Sequence, residues 1–171
     1  AILGVVGMTS FSAPYGSFVD TSTVAAVANV VTTVLFNGTN LASSQVYIGA
    51  PTSRIYITNA GIYNYQYSLQ LTNSAAQIHA VTVWIRVNGI DITDSSSAIN
   101  LPVKRGSVNA AVILALNYLA PIQAGDYIEL MWTADDAAVS LATLPASVVA
   151  PIYPAAPAAI VTVTFVSALP A

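Results

Sequence analysis

The sequence contains no cysteine and only one histidine. Without cysteine, neither a disulfide framework nor a thiolate metal site is possible, and the cellular compartment cannot be inferred from redox chemistry. A catalytic triad or a metal centre built on histidine would have only His79 to use. No P-loop and no G-x-S-x-G spacing occurs. We therefore expect no enzymatic activity, no catalytic residue, no metal and no cofactor.

Charged residues are also scarce, at 6% of the chain compared with roughly 25% in an average soluble domain. The cations are Arg54, Arg86, Lys104 and Arg105, and the net charge is −3. Binding to a phosphate backbone depends on clustered Lys and Arg side chains, so we expect no nucleic-acid partner. Lys104-Arg105 is interpreted as a solvated loop pair. The apolar fraction of 56% argues against a disordered chain.

An uncharged run between Gly106 and Gly125 contains the apolar stretch NAAVILALNYLAPI. A membrane-spanning helix needs about 20 mostly apolar residues, but Asn109 and Asn117 lie within this stretch and Pro121 interrupts it. The run therefore does not predict a membrane helix, and we expect no membrane partner. The remaining interpretation is a strand that is covered on both faces. Its own core would cover one face, and another copy of the chain would cover the other.

Alternation with a period of two dominates the rest of the chain and predicts strands. In GIYNYQYSLQL, Tyr and Leu side chains share one face and Asn, Gln and Ser side chains share the other. AVTVWIRV continues through Asn88-Gly89 into IDI, which indicates a hairpin. DYIELMWT and IVTVTFVS alternate in the same way. The segment 24–36 is rich in β-branched residues and ends at Asn37-Gly38, so it is predicted to be a strand closed by a turn.

The pattern predicts one domain over residues 1–171, with two irregular segments. The first is an N-terminal arm over about residues 1–15. Its opening AILGVVGMTS has no basic region of a secretory signal, and an initial Ala is what remains when an initiator Met is trimmed. We therefore expect a complete protein that is made inside the cell. The second is the Pro-rich segment 145–157, which cannot be a helix or a central strand. Its Val and Ile residues indicate that it lies against a surface, such as that of a neighbouring subunit.

Four carboxylates are candidate Ca²⁺ ligands, because Ca²⁺ takes oxygen ligands from loops. They are Asp91 and Asp94 in DITD, and Asp135 and Asp136 in WTADDAAVS. Neither segment has a complete ligand-loop pattern, so we favour solvated loop carboxylates. His79, at the start of a strand, is interpreted as a surface or hydrogen-bonded residue rather than a pH sensor.

Two further features have alternative interpretations. Trp84 shares a strand face with Thr82 and Arg86 and is expected to point outward, as an interface anchor or as a platform for carbohydrate. We favour the interface anchor. Asn37-Gly38-Thr39 is formally a glycosylation sequon, but we favour a turn at Asn37-Gly38.

The order of these segments resembles that of C1q and tumour necrosis factor domains. The resemblance is carried by RIYITNAGIYNYQYSLQL, then HAVTVWIRVNGIDI, then AAVILALNYLAPIQAGDYIELMW and the closing IVTVTFVSAL, and it spans roughly Tyr15 to the C-terminus. The layout, including APYGSF, is also similar to that of small virion proteins of tailed phages. The sequence departs from the family in three ways: no Gly-X-Y collagen stalk precedes the domain, the closing strand lacks a Gly between aromatics, and LPASVVAPIYPAAPAA interrupts the last two strands.

The resemblance implies an all-β fold, a ten-stranded antiparallel jelly-roll β-sandwich that assembles as a homotrimer. From the family's layout we expect Asn64, Gln66 and Asn117 to lie near the trimer interface. We further expect a non-enzymatic virion protein, a capsid decoration or cement protein of a phage, whose partners are its own copies and the major capsid protein or other virion proteins. The alternative is a receptor-binding knob at the tip of a tail or capsid fibre, which binds host glycan or protein. A third class, a secreted bacterial C1q-like binding module, would carry a signal peptide in its full gene.

Overall fold

The computed structural model describes residues 12–170, which contain β-strands and no helix. Most of the predicted N-terminal arm therefore lies outside the described residues. The strands are β1 (Tyr15–Asp20), β2 (Val24–Ala25), β3 (Thr32–Thr33), β4 (Gly38–Ala42), β5 (Val46–Ile48), β6 (Ile55–Ile57), β7 (Gly61–Asn73), β8 (His79–Val87), β9 (Ile90–Asp91), β10 (Ser97–Leu101), β11 (Ala110–Ile122), β12 (Tyr127–Ala134), β13 (Val139–Leu141) and β14 (Ala159–Ser167).

The strands form two antiparallel sheets that pack face to face around one apolar core. In sheet A, β11, β7, β14, β1 and β4 are paired in that order, and β13, which also pairs with β2, continues the β14 edge of β7. In sheet B the order is β10-β8-β12-β6-β5, with β3 on β12 and β9 on β8. The all-β antiparallel sandwich predicted from the sequence is confirmed. The sheets contain fourteen strands instead of ten, and several of the additional ones are only two or three residues long.

Strand β7 lies between β11 and β14 in sheet A and follows its sequence pattern from Tyr63 to Leu71. Its Tyr and Leu side chains point into the sandwich and are almost completely buried, whereas Asn64, Gln66, Ser68 and Gln70 point away from it. Asn73, at the end of the strand, is buried on the core side. This predicted core face is confirmed. The largest fully buried side chains of the core include Phe18, Phe36, Tyr63, Tyr65, Ile85 and Trp132.

The predicted hairpin between β8 and β9 is also confirmed. Asn88 and Gly89 have φ angles of 50° and 79°, which place both residues in the left-handed region that a tight hairpin turn requires. A Cβ at Gly89 would meet little, so the backbone conformation accounts for the glycine there.

The strand predicted over residues 24–36 was wrong. Only Val24–Ala25 and Thr32–Thr33 are extended and paired, and Asn29 has a φ of 60° between them. Val34 and Phe36 reach the core, but Val27, Val30, Val31 and Leu35 are exposed because no neighbouring strand covers them. A composition rich in β-branched residues favours a strand, but it does not determine whether a neighbouring strand is there to pair with it.

The turn predicted at Asn37-Gly38 was also wrong. Asn37 precedes β4 in an extended segment, and its side-chain oxygen accepts hydrogen bonds from the Thr21 backbone N–H at 3.0 Å and the Thr21 hydroxyl at 3.2 Å. Its amide nitrogen donates to the Ser22 hydroxyl at 3.0 Å. Asn37 therefore fastens the loop after β1 to the start of β4.

Strand β11 is a strand, as predicted, and the covering of its second face by another copy of the chain stays a prediction. It pairs with β7 over thirteen residues and forms the open edge of sheet A. Its core-facing Val112, Leu114 and Tyr118 are only half-buried, and its outward-facing Ile113 and Leu119 are exposed. No helix in residues 12–170 is long and apolar enough to cross a membrane.

The Pro-rich segment forms a hairpin-like arm between β13 and β14, which we define as residues 144–157. Leu144 and Ala156 exchange two backbone hydrogen bonds of 3.0 and 2.9 Å, and Ser147 and Tyr153 exchange two of 3.0 and 3.3 Å. The segment is neither a helix nor a central strand, as predicted. Its end is not packed on the chain's own surface, because Val148, Val149 and Ile152 are exposed.

Candidate functional site

The three residues predicted at a subunit interface lie together on the outer face of sheet A. Asn117 of β11 lies directly opposite Gln66 of β7, and Thr162 of β14 lies opposite Gln66 on the other side. Asn64 lies two residues before Gln66 in β7, between Leu119 of β11 and Thr164 of β14. Gln66 and Asn117 are exposed and Asn64 is half-buried. Their role at an interface stays a prediction.

A shallow depression of about 550 Å³ runs across this part of the outer face. Its lining residues come from β7, β11 and β14, and they are Gln66, Tyr67, Ser68, Ala115, Leu116, Asn117, Ile160 and Thr162. Beside it, the side-chain oxygen of Asn64 is buried and has no hydrogen-bond partner among residues 12–170. A buried acceptor without a donor is unfavourable in an isolated chain.

In the described part of the chain, no charged side chain projects from this outer face. The outward residues of β1, β7, β11 and β14 are Ser, Thr, Asn, Gln and aliphatic residues, with Tyr15 and Pro121 at the strand ends. Asp20 belongs to sheet A, but it is 3% exposed and accepts a hydrogen bond from the Ser22 N–H at 2.8 Å. The other charged residues of the described chain lie in sheet B or in loops. Charge is therefore segregated between the two faces of the sandwich.

The open edge of β11 is apolar on both of its faces. Ile113 and Leu119 point outward and are 59% and 57% exposed, and Leu116 points toward the core side but is still 39% exposed. Among residues 12–170, no strand pairs with the outer edge of this thirteen-residue strand. Long apolar edges of this kind promote association with other chains, and isolated proteins usually protect them. The sequence pattern singled out both Asn117 and the apolar stretch around it as surface that another copy of the chain would cover, and this stays a prediction.

The outer face of sheet B carries a cluster that the sequence analysis identified only in part. The Trp84 indole N–H and the Arg86 Nε–H both donate to Asp91 Oδ1, at 2.8 and 2.7 Å. The bond from Arg86, followed by that from Trp84, lowers the pKa of the Asp91 carboxyl. Trp84 points outward as expected, but it is half-buried and its indole N–H is satisfied within the chain.

A second group on the same face is organised around Glu129, which is 6% exposed. The Ser53 hydroxyl donates to Glu129 Oε1 at 2.6 Å, and Arg54 Nε lies 3.6 Å from the same oxygen. The Arg54 guanidinium carbon lies 4.3 Å from the centroid of the Tyr127 ring, a cation–π contact. These partners compensate a buried carboxylate within the fold.

The remaining candidate residues either form hydrogen bonds within the chain or lie exposed at its surface. His79 Nδ1 lies 3.0 Å from Asp135 Oδ1, and Asp136 accepts from the Ala138 N–H at 2.8 Å. Asp94 is exposed, with a φ of 63°. Within the described part of the chain, no three His, Cys, Asp or Glu side chains are grouped so that they could hold a metal ion. Lys104 and Arg105 are exposed in the loop before β11.

No protein-family model and no curated protein matches the sequence. The structure is similar to that of the globular domain of zebrafish complement 1qA protein, with a TM-score of 0.55 and 11% sequence identity. The similarity covers 92% of this chain and 100% of that chain. At this identity the similarity concerns the fold alone. The chain thus has a C1q-like jelly-roll fold, as the order of its segments predicted.

Proposed function

We propose that the chain forms a homotrimer through the outer face of sheet A. The observation that carries this proposal is the combination of an uncharged outer face with an open, apolar edge strand beside it. Exposed apolar surface of this extent is uncommon on a chain that acts alone. A second copy placed against this face removes Ile113, Leu116 and Leu119 from water.

A threefold ring requires that two different patches of the same chain fit each other, because each subunit contacts one neighbour with the first patch and the other neighbour with the second. The protruding edge of β11 provides one patch. The shallow depression over β7 and β14, lined by Gln66 and Thr162, provides the other. A donor from the neighbouring edge would also satisfy the buried oxygen of Asn64. The resemblance to C1q and tumour necrosis factor domains implies the same symmetry.

We further propose that this trimer is a non-enzymatic structural protein of a virus particle, bound to the capsid as a decoration protein. The compact domain, the few charged groups and the internally compensated clusters on sheet B support a role in binding rather than catalysis. The resemblance to small virion proteins of tailed phages supports the proposal that this protein is part of a virus particle. A trimer also suits the local threefold positions of an icosahedral shell. The trimer would be held by apolar burial, at about 25 cal/mol per Å².

The test uses capsids of the encoding virus, prepared without this chain. A decoration protein is expected to sediment with these capsids and to raise the temperature at which they rupture. Unrelated capsids of similar size provide the control. Failure to bind the cognate capsids, with a trimer demonstrated in solution, would remove the decoration role while leaving the assembly in place.

The alternative is a receptor-binding knob at the tip of a tail or capsid fibre. It is favoured by the aromatic row on sheet B, where the Tyr47 and Tyr56 rings stack with centroids 5.6 Å apart and Tyr47 remains exposed. Exposed aromatic rings are common in surfaces that bind proteins or sugars. A knob is expected to bind host cells and to leave capsid rupture temperature unchanged, so the same two assays separate the roles.

A further inference from the structure

The tip of the arm carries the most exposed large apolar side chains of the described residues. Val148, Val149 and Ile152 are 87%, 73% and 76% exposed. The tip is nevertheless well defined by hydrogen bonds: besides the two pairs of backbone bonds lower in the arm, the Ser147 hydroxyl donates to the Val149 carbonyl at 2.7 Å. An ordered apolar projection without a covering surface is a recognised mark of an interaction site.

The arm adjoins the face that we propose as the trimer interface. Its base, with Leu144 and Pro157, lines a depression of about 410 Å³ together with Val19 and Ile160 of the outer face of sheet A. Ile160 also lines the depression over β7 and β14. The arm is thus continuous with the proposed interface, and it extends that surface beyond the flat sheet.

The arm also lies at a defined end of the sandwich. It joins β13 to β14, and β14 begins with Ala159 opposite Leu69 of β7. Strand β11 begins near the same end, where Ala110 lies opposite Asn73. Two exposed apolar side chains mark this end of the edge strand: Ile113, on the outer face of β11, and Val108, which precedes β11 and is 68% exposed.

We infer that the tip of each arm, formed by Val148, Val149 and Ile152, packs on the Val108–Ile113 end of β11 in the neighbouring subunit. This inference rests on the proposed trimer. Rotation about a threefold axis that runs along the strands keeps every element at its own height, so an arm at one end meets the same end of the next subunit. Both patches belong to one chain, and residues 137–171 and residues 106–125 contain no Asp, Glu, Lys, Arg or His. The charged residue beside the receiving patch is Arg105, which exchanges two backbone hydrogen bonds with Val108.

A second copy is the occupant that fits these observations. Surface that is apolar and uncharged on both sides associates by excluding water, without the need for opposite charges. A specific interface usually buries about 800 Å² per partner, and the arm adds area to a face that is otherwise shallow. Each subunit supplies one tip and one receiving edge, so the contacts of a closed ring leave neither unpaired.

Cysteine trapping tests the contact directly, because the chain has no cysteine of its own. The double variant Val149→Cys/Ile113→Cys is oxidised at low micromolar concentration and run on a denaturing gel without reductant. We expect covalent dimers and trimers. The single variants Val149→Cys and Ile113→Cys are the matched controls and are expected to run as single chains. A short bismaleimide replaces oxidation in a parallel sample, since a disulfide demands a narrow Cα separation.

Light scattering on the same samples separates this inference from the trimer itself. A mass of three chains without cross-links, by oxidation or by bismaleimide, overturns the docking of the tip and leaves the trimer standing. Cross-links from Val149→Cys alone would mean that tips meet tips, which also overturns the inference. A mass of one chain overturns the trimer, and the tip contact with it.

Discussion

Asn117 lies directly opposite Gln66 across the β11–β7 pair, and both side chains point away from the core. Thr162 continues this polar row on β14. The row is uncharged and is bordered by exposed aliphatic residues of the edge strand, Ile113 and Leu119. Amide and hydroxyl groups can exchange hydrogen bonds across a subunit contact without the large desolvation cost of buried charges. This pair is therefore the most sensitive place to introduce a charge.

Replacing Gln66 with Glu adds one negative charge to this face with almost no change in shape. If the face is buried between subunits, one unpaired carboxylate becomes buried at each of the three contacts, and each uncompensated buried charge costs about 3–5 kcal/mol. We expect Gln66→Glu to convert the trimer to single chains at low micromolar concentration, measured as mass by light scattering. The chain itself should remain folded, because Gln66 is exposed in the single subunit.

The matched control is Gln77→Glu. Gln77 is exposed in the loop between β7 and β8, and the substitution makes the same chemical change away from the outer face of sheet A. We expect this variant to keep the mass of the wild-type protein. Equal masses for the two variants would argue against burial of Gln66 in an interface.

Tyr63 and Tyr65 provide a comparison within the core. The Tyr63 hydroxyl donates to the Asn59 carbonyl at 2.8 Å, whereas the Tyr65 hydroxyl is buried and has no hydrogen-bond partner among residues 12–170. Tyr63→Phe is expected to lower the free energy of unfolding by about 0.5–1.5 kcal/mol, the usual net contribution of one hydrogen bond. Tyr65→Phe is expected to leave it unchanged or to raise it. Urea unfolding of both variants measures the difference, and a larger loss in Tyr65→Phe would contradict the assignment.

The buried tyrosines also predict a loss of stability in alkali. Burial raises the pKa of Tyr65 above its ordinary value of 10.0, and burial likewise raises the pKa of Tyr63. Above pH 10.0 the unfolded chain releases these protons while the folded chain retains them, so the free energy of unfolding falls as the pH rises. The slope contributed by one such group approaches about 1.4 kcal/mol per pH unit. Below pH 10.0 these groups contribute no pH dependence.

Tyr65→Phe isolates this alkaline effect. In this variant the decline of the free energy of unfolding above pH 10.0 should be less steep than in the wild type, with Tyr63 and the other tyrosines still present. Urea titrations at neutral pH and in the alkaline range provide both values. Identical slopes for the two proteins would show that Tyr65 is not the group that loses its proton on unfolding.

The cluster on sheet B predicts that two substitutions raise the pKa of the Asp91 carboxyl by different amounts. Because the hydrogen bond from Arg86 lowers the pKa of Asp91 most and that from Trp84 contributes less, Arg86→Gln should raise this pKa more than Trp84→Phe. Carboxyl chemical shifts of Asp91, followed by NMR during an acid titration, measure both changes. In the wild type, the contacts made by the ionised Asp91 contribute to stability above its ordinary pKa and are lost as the pH falls through its lowered value. A pKa unchanged in Arg86→Gln would contradict the hydrogen-bond assignment.

The sequence predicted the fold correctly where the signal for a strand or turn lies in that segment itself. The alternation of β7 fixed which of its side chains enter the core, and Asn88-Gly89 fixed the hairpin after β8, because both signals depend on neighbouring residues alone. It failed over residues 24–36, where β propensity was high but a partner strand was lacking for most of the segment. Whether a strand forms depends on which strands reach its two edges, and this is a property of the topology.

The candidate site was predictable only in part for the same reason. Asn64, Gln66 and Asn117 could be placed on one face by counting along β7 and β11, and the register brings them together as counted. The position of β11 at an open edge, and the projection of the arm tip at Val149, could not be deduced from alternation. Alternation identifies the faces of a strand but does not reveal which of its edges remains unpaired.

The central claim is that the outer face of sheet A is buried by symmetry, and the mass of the protein in solution tests it most directly. The measurement is light scattering coupled to size exclusion, at low micromolar concentration and without detergent. The account predicts a single species of three chains, 3 × 17.7 = 53.1 kDa. A stable species of 17.7 kDa would contradict it, and the apolar edge of β11 would then remain exposed to water.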